Sequence, residues 1–143
     1  MSGMLKACGE NIRNYLEAVS PKILNQVEFY EGQFEHFDEE IVNPPACYID
    51  YQSGEPSEVD DALGTIDFTL YLICSKLLRD PGNMLDTLEG VFAALHKKAI
   101  TWQNDETQGA TTGRVGKLFY RGFRNNVTFP GLIVYEALFR VER

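Results

Sequence analysis

From Thr65 to Ser75 apolar and polar residues alternate, with Ile66, Phe68, Leu70, Leu72 and Cys74 on one side and Thr65, Asp67, Thr69 and Tyr71 on the other. A period of two belongs to an extended chain, whose successive side chains point to opposite faces. One face of this strand is core and the other half wet. Ala46 to Gln52 repeats the pattern, with Cys47, Ile49 and Tyr51 opposed to Tyr48 and Asp50. Val115 to Phe123 and Leu132 to Val141 alternate again, separated by the turn-like Arg124-Asn125-Asn126 and Pro130-Gly131, which predicts paired antiparallel strands. Short strands are expected within Ile23 to Tyr30 and Ile100 to Trp102.

Two segments carry helical spacing instead. Met4, Cys8, Ile12, Tyr15, Leu16 and Val19 form an amphipathic stripe stopped by Ser20-Pro21. Asp80-Pro81 reads as an N-cap followed by proline in the first turn, where the missing N–H costs little. The stripe that follows is Met84, Leu85, Leu88, Val91, Phe92 and Leu95, ending near His96, Lys97 and Lys98, whose charge suits a helix C-terminus. Without a regular βαβ alternation, the expected fold is α+β: an antiparallel or mixed sheet with both helices packed on one face, a single domain over residues 1–143. EGQFEHFDEE, anchored by Phe34 and Phe37, and SGEPSEVDD read as loops, and NDETQGATTG as a mobile one.

Chemistry is poorly represented. GATTGRVG at Gly109 to Gly116 has a phosphate loop's glycines, but its spacing is one residue short and Arg114-Val115 stands where Lys-Ser/Thr is required. Glu35 to Glu40 offers one imidazole and several carboxylates, yet contiguous loop residues are a poor metal cage, and a solvated acidic loop is the plainer reading. The two histidines and the absence of a nucleophile elbow give no case for a triad. Cys8, Cys47 and Cys74 form no CxxC pair and read as small buried or half-buried apolar residues. No catalytic residue, cofactor or metal is expected. The net charge of -8 opposes general binding to phosphates. No apolar run approaches the roughly 20 residues that span a bilayer. The polar residues in MSGMLKACGENIR do not fit a signal peptide's apolar core, so cytoplasmic expression is expected.

The informative feature is where the charge lies. Between Ile23 and Ser75 there is no Lys or Arg, while Glu28, Glu31, Glu35, Asp38, Glu39, Glu40, Asp50, Glu55, Glu58, Asp60, Asp61 and Asp67 all fall there. From Lys97 onward the balance reverses, with Lys97, Lys98, Arg114, Lys117, Arg121, Arg124, Arg140 and Arg143 against Asp105, Glu106, Glu136 and Glu142. A two-sided charge distribution allows head-to-tail pairing, and a heterologous contact closes into a ring when its rotation divides a full turn. The competing reading is that the two segments neighbour each other within one subunit and cancel.

The N-terminal amphipathic helix, the acidic insertion before ACYIDYQSGE, the strand GTIDFTLYLICSK, the helix NMLDTLEGVFAALHKKAI and the closing LIVYEALFRVER together cover nearly the whole chain. In that order they resemble the Mu-type phage tail terminator family, which is similar in architecture to the lambda tail terminators. The resemblance implies a structural, non-enzymatic protein of the virion tail, assembled in the bacterial host cytoplasm. It implies a homo-oligomeric ring, expected to be a hexamer, that ends tail tube polymerisation and offers a head-tail joining surface. The implied partners are the tail tube protein and a head connector or neck protein, with DNA passing through unbound and no membrane. On this reading Arg121 and Arg124 of one subunit meet Asp38, Glu39 and Glu40, or Asp60 and Asp61, of the next. The Asn104 to Gly113 loop would be ordered only against a tube or connector protein. Rival readings are another neck or tail-completion protein, a metal-dependent hydrolase using the acidic loop, and a monomeric binding module.

Overall fold

A computed structural model describes residues 4–32, 44–56, 63–75, 81–104, 111–125 and 132–142. In chain order the elements are α1 (Met4–Glu17), β1 (Gln26–Phe29), β2 (Ala46–Pro56), β3 (Leu63–Ser75), α2 (Pro81–Leu95), β4 (Ala99–Asn104), β5 (Thr111–Asn125) and β6 (Leu132–Glu142). The six strands form one mixed sheet in the order β1-β2-β3-β6-β5-β4. Every pairing is antiparallel except β1 with β2. The fold is therefore α+β, as the periodicities predict.

The strand alternation sets the layers. Cys47, Ile49, Phe68, Leu70, Leu72, Ala137, Phe139 and Val141 share a core with Cys8, Ile12 and Leu16 of α1 and with Val91 and Leu95 of α2, so both helices lie on one side. Each large apolar side chain fully buried there contributes about 1.5–3 kcal/mol. The sheet's other side is drier at one end than the alternation suggests. Ala46, Tyr48, Ile73 and Val134 are fully buried there, with Tyr30 and Tyr71 packed against them, and Thr69 is buried as well.

Helix α1 packs against both outer strands, β1 and β4, so the sheet curls around it. The closest seating is at Gly9, where an added Cβ would lie 2.3 Å from the Tyr51 hydroxyl and 2.6 Å from Phe29 Cε1. At the other edge, the Tyr15 hydroxyl donates to the Ala99 carbonyl at 2.6 Å and covers an edge acceptor of β4. From α2 the chain reverses into β4 through Lys97, whose φ of 64° is left-handed. The Lys97 N–H donates to the Leu118 carbonyl at 2.7 Å, and the Lys98 carbonyl accepts from Leu118 N–H at 2.9 Å.

Several expectations change. Ile23 is not in a strand; it lies against α2, where a Cβ on Gly90 would meet it at 3.2 Å. Ser53–Pro56 and Thr111–Gly113, read as loop from their polar and glycine-rich composition, extend β2 and β5, because long neighbours supply ladder partners that override local propensity. Arg124 and Asn125 belong to β5 rather than to a turn. Asn104 closes β4 and Thr111–Gly113 open β5, so both ends of the expected loop over Asn104 to Gly113 are strand, and its residues 105–110 lie outside the described residues. Of the expected acidic loop over residues 31–40, residues 33–40, with the Phe34 and Phe37 anchors, also lie outside the described residues.

Candidate assembly surface

The strand order turns charge segregation along the chain into segregation across the sheet. β1, β2 and β3 come from the stretch without Lys or Arg and form one half; β6, β5 and β4 come from the basic stretch and form the other. The halves join at the β3 and β6 seam. There Arg140 Nε donates to Asp67 Oδ1 at 2.7 Å and Nη2 to Oδ2 at 3.1 Å, from register partners on the two strands. A bidentate pair of this kind holds register as well as charge. Part of the basic charge is thus cancelled within the subunit.

Arg124 is cancelled in the same way, by Glu136 directly across the ladder on β6. Glu136, through its hydrogen bond and its charge, holds that guanidinium above its ordinary range. Arg121 differs: it is exposed and has no ion pair among the described residues. It is the extra residue of a β-bulge, since the register with β6 shifts between Tyr120 and Gly122, and Gly122 takes a φ of 128° that disfavours any other residue. Of the acidic residues expected to face these arginines, Asp38, Glu39, Glu40, Asp60 and Asp61 all lie outside the described residues, between β1 and β2 or between β2 and β3.

Asp50 on β2 accepts from Gln52 Nε2 at 2.7 Å and from the Tyr71 hydroxyl at 3.3 Å. Burial lifts its pKa, and these hydrogen bonds oppose the rise. Burial, followed by the Asp50 charge, pushes the Tyr71 phenol up to about 12, so it remains a donor. His96 is a positioning group: its Nδ1 accepts the Tyr120 N–H at 3.2 Å and its ring stacks on Phe92. Among the described residues no three His, Cys, Asp or Glu side chains gather as a metal site. Cys8 and Cys47 are buried and Cys74 half-buried, all as free thiols, matching the apolar reading.

The sequence reading missed an exposed apolar surface. Leu85 and Phe92, placed in the core stripe of α2, are 51% and 38% exposed, and Phe123 on β5 is 51% exposed. The signal was the width of the stripe: Leu88, Val91 and Leu95 fill the core face, and Leu85 with Phe92, seven residues apart, form a flanking row. On β5, Tyr120 meets Phe92 edge-on, and Phe123, three residues further along, meets Tyr135 of β6.

No family model matches this chain, and no curated protein matches it. Among solved structures, it is similar to a chain of a structure titled "Virion of native gene transfer agent (GTA) particle", with a TM-score of 0.64 and 11% identity. The likeness covers 99% of this chain and 97% of that one, so the two share a fold from end to end.

Proposed function

We propose that the protein is a structural component of a phage-like virion, acting as the ring that ends the tail tube and presents a head-tail joining surface. The observation that carries this reading is the end-to-end fold shared with a chain of a virion particle. The segregated sheet supports a head-to-tail ring, expected to be a hexamer, because an acidic half and a basic half on one subunit complement each other in the next. Arg121, uncompensated among the described residues, is the better placed of the two arginines to reach the acidic stretch of a neighbour, whether Asp38 to Glu40 or Asp60 and Asp61. Arg124 carries less of the contact because Glu136 already holds it. The tail tube protein and a head connector are the partners above and below, and an acidic ring would let DNA pass without gripping its phosphates. Assembly takes place in the host cytoplasm.

The experiment is to add purified protein to tail tubes and image them by negative stain. Rings seated on one tube end are expected. A persistent monomer that leaves tube lengths unchanged would overturn the reading, and rings that bind only a neck component would favour a neck protein.

A further inference from the structure

The ladder on the β4 side of β5 stops short. β4 pairs with β5 only as far as Lys117, the Lys97 and Lys98 backbone holds Leu118, and the His96 ring takes the Tyr120 N–H. From Arg121 to Asn125 β5 is bonded only to β6 among the described strands. This uncovered length has an exposed Arg121 at a bulge and an exposed Phe123, and natural sheets seldom leave an apolar edge open without a partner.

On the opposite side of the sheet, β1 is also an edge, bonded only to β2 among the described strands. It is four residues long, close to the uncovered length of β5. It belongs to the stretch without Lys or Arg, and its Glu28 is exposed with no ion pair among the described residues.

We infer that the open end of β5 is the docking site for β1 of a second copy, joined edge to edge with Glu28 facing Arg121, so that the sheets continue from subunit to subunit. The inference rests on the ring reading above, and puts Glu28 in place of the acidic stretch as the partner of Arg121. Backbone pairing supplies the attraction, and the charges choose an acidic strand over another basic one. Because the two edges are different surfaces, the contact is heterologous and propagates in one direction, as ring closure requires.

Sedimentation velocity of the full chain over a range of concentrations tests it, with circular dichroism melts to establish folding of each variant. Arg121→Glu and Glu28→Arg are each expected to raise the assembly midpoint by about tenfold or more. Mixing the two variants is expected to restore the wild-type mass, because in a ring where they alternate every contact is the original pair or its reversal. An unchanged midpoint in either variant, or no recovery on mixing, overturns the inference. If Glu28→Arg assembles normally while reversal of Asp38, Glu39 and Glu40 does not, the partner is the acidic stretch and the β1 contact is refuted with the ring intact. A wild-type protein that stays monomeric refutes the ring itself. Should a reversal lower the melt, Arg121→Gln and Glu28→Gln make the same comparison with a smaller shift.

Discussion

Replacing Gly9 by alanine sets two effects of known size against each other. Alanine in the middle of a helix is favoured over glycine by about 1 kcal/mol, so an α1 free of its neighbours would gain stability. In this fold the new Cβ falls 2.3 Å from the Tyr51 hydroxyl and 2.6 Å from Phe29 Cε1, and both rings must move. Tyr51 has solvent to swing into, but Phe29 is half-buried against the core. Overpacking of this kind costs about 1–3 kcal/mol, and two displaced rings put it at the upper end. The expected net is a loss of about 1–2 kcal/mol, or about 3–8 °C in Tm for a chain of this length. Urea denaturation would measure it, provided the slope is unchanged. Gly90→Ala is the control, because its nearest neighbours are Ile23 methyl carbons at 3.2 and 3.4 Å that can give; a gain of up to about 1 kcal/mol is expected. Adding Tyr51→Phe to Gly9→Ala removes the 2.3 Å contact and leaves the next Tyr51 carbon at 3.1 Å, so it should recover a part of the loss, a coupling above about 0.5 kcal/mol. A Gly9→Ala protein at least as stable as the wild type would refute the seating of α1 on β1 and β2.

Other expectations follow from single residues. Lys97→Gly should stabilise by about 0.5–1 kcal/mol, read from chemical denaturation, because the residue holds a φ of 64° that costs a side chain and not a glycine. Burial pushes the Cys8 thiol up to about 11 and raises Cys47 further, so at pH 8 an alkylating reagent should modify half-buried Cys74 first and the other two only on unfolding, as mass spectrometry of timed samples would show. Because the Asp50 pKa is higher in the fold than in the unfolded chain, its contribution favours the native state below the unfolded value and is lost as pH rises through the folded one. Asp50→Asn should therefore raise Tm at pH 7 and give no gain at pH 3, with an effect below about 1 kcal/mol given its solvent exposure.

The sheet was legible because its alternation is long. Eleven ladder partners join β3 to β6, and the apolar face of Thr65 to Ser75 could point only at a core. The antiparallel pairing of β5 with β6 was legible too; what could not be read was the rest of the order, since nothing local in Leu132 to Val141 says that its other side lies beside β3 rather than on an edge. Strand length was also hidden where pairing overrules composition, as at Ser53–Pro56 and Thr111–Gly113. The charge asymmetry was visible in the sequence, but its meaning depended on topology. Arg121 and Arg124 look equivalent three residues apart, and only the bulge at Gly122 and the cross-strand Glu136 separate an open cation from a compensated one. Phe123 reads as one more core residue of an alternating strand until the end of β4 leaves its edge bare.

The strand order also governs how the chain can reach this state. β6, which follows every other element in sequence, sits at the middle of the sheet, and until it arrives the β1-β2-β3 half and the β4-β5 half have no ladder between them. α1, the first element, bonds through Tyr15 to Ala99, 84 residues further on. Neither half can complete the core by itself, so folding is expected to be slow, cooperative and decided by its final strand. A subunit built this way would offer no half-formed edge for premature joining: the surfaces that recognise a neighbour come into being together, when the centre closes.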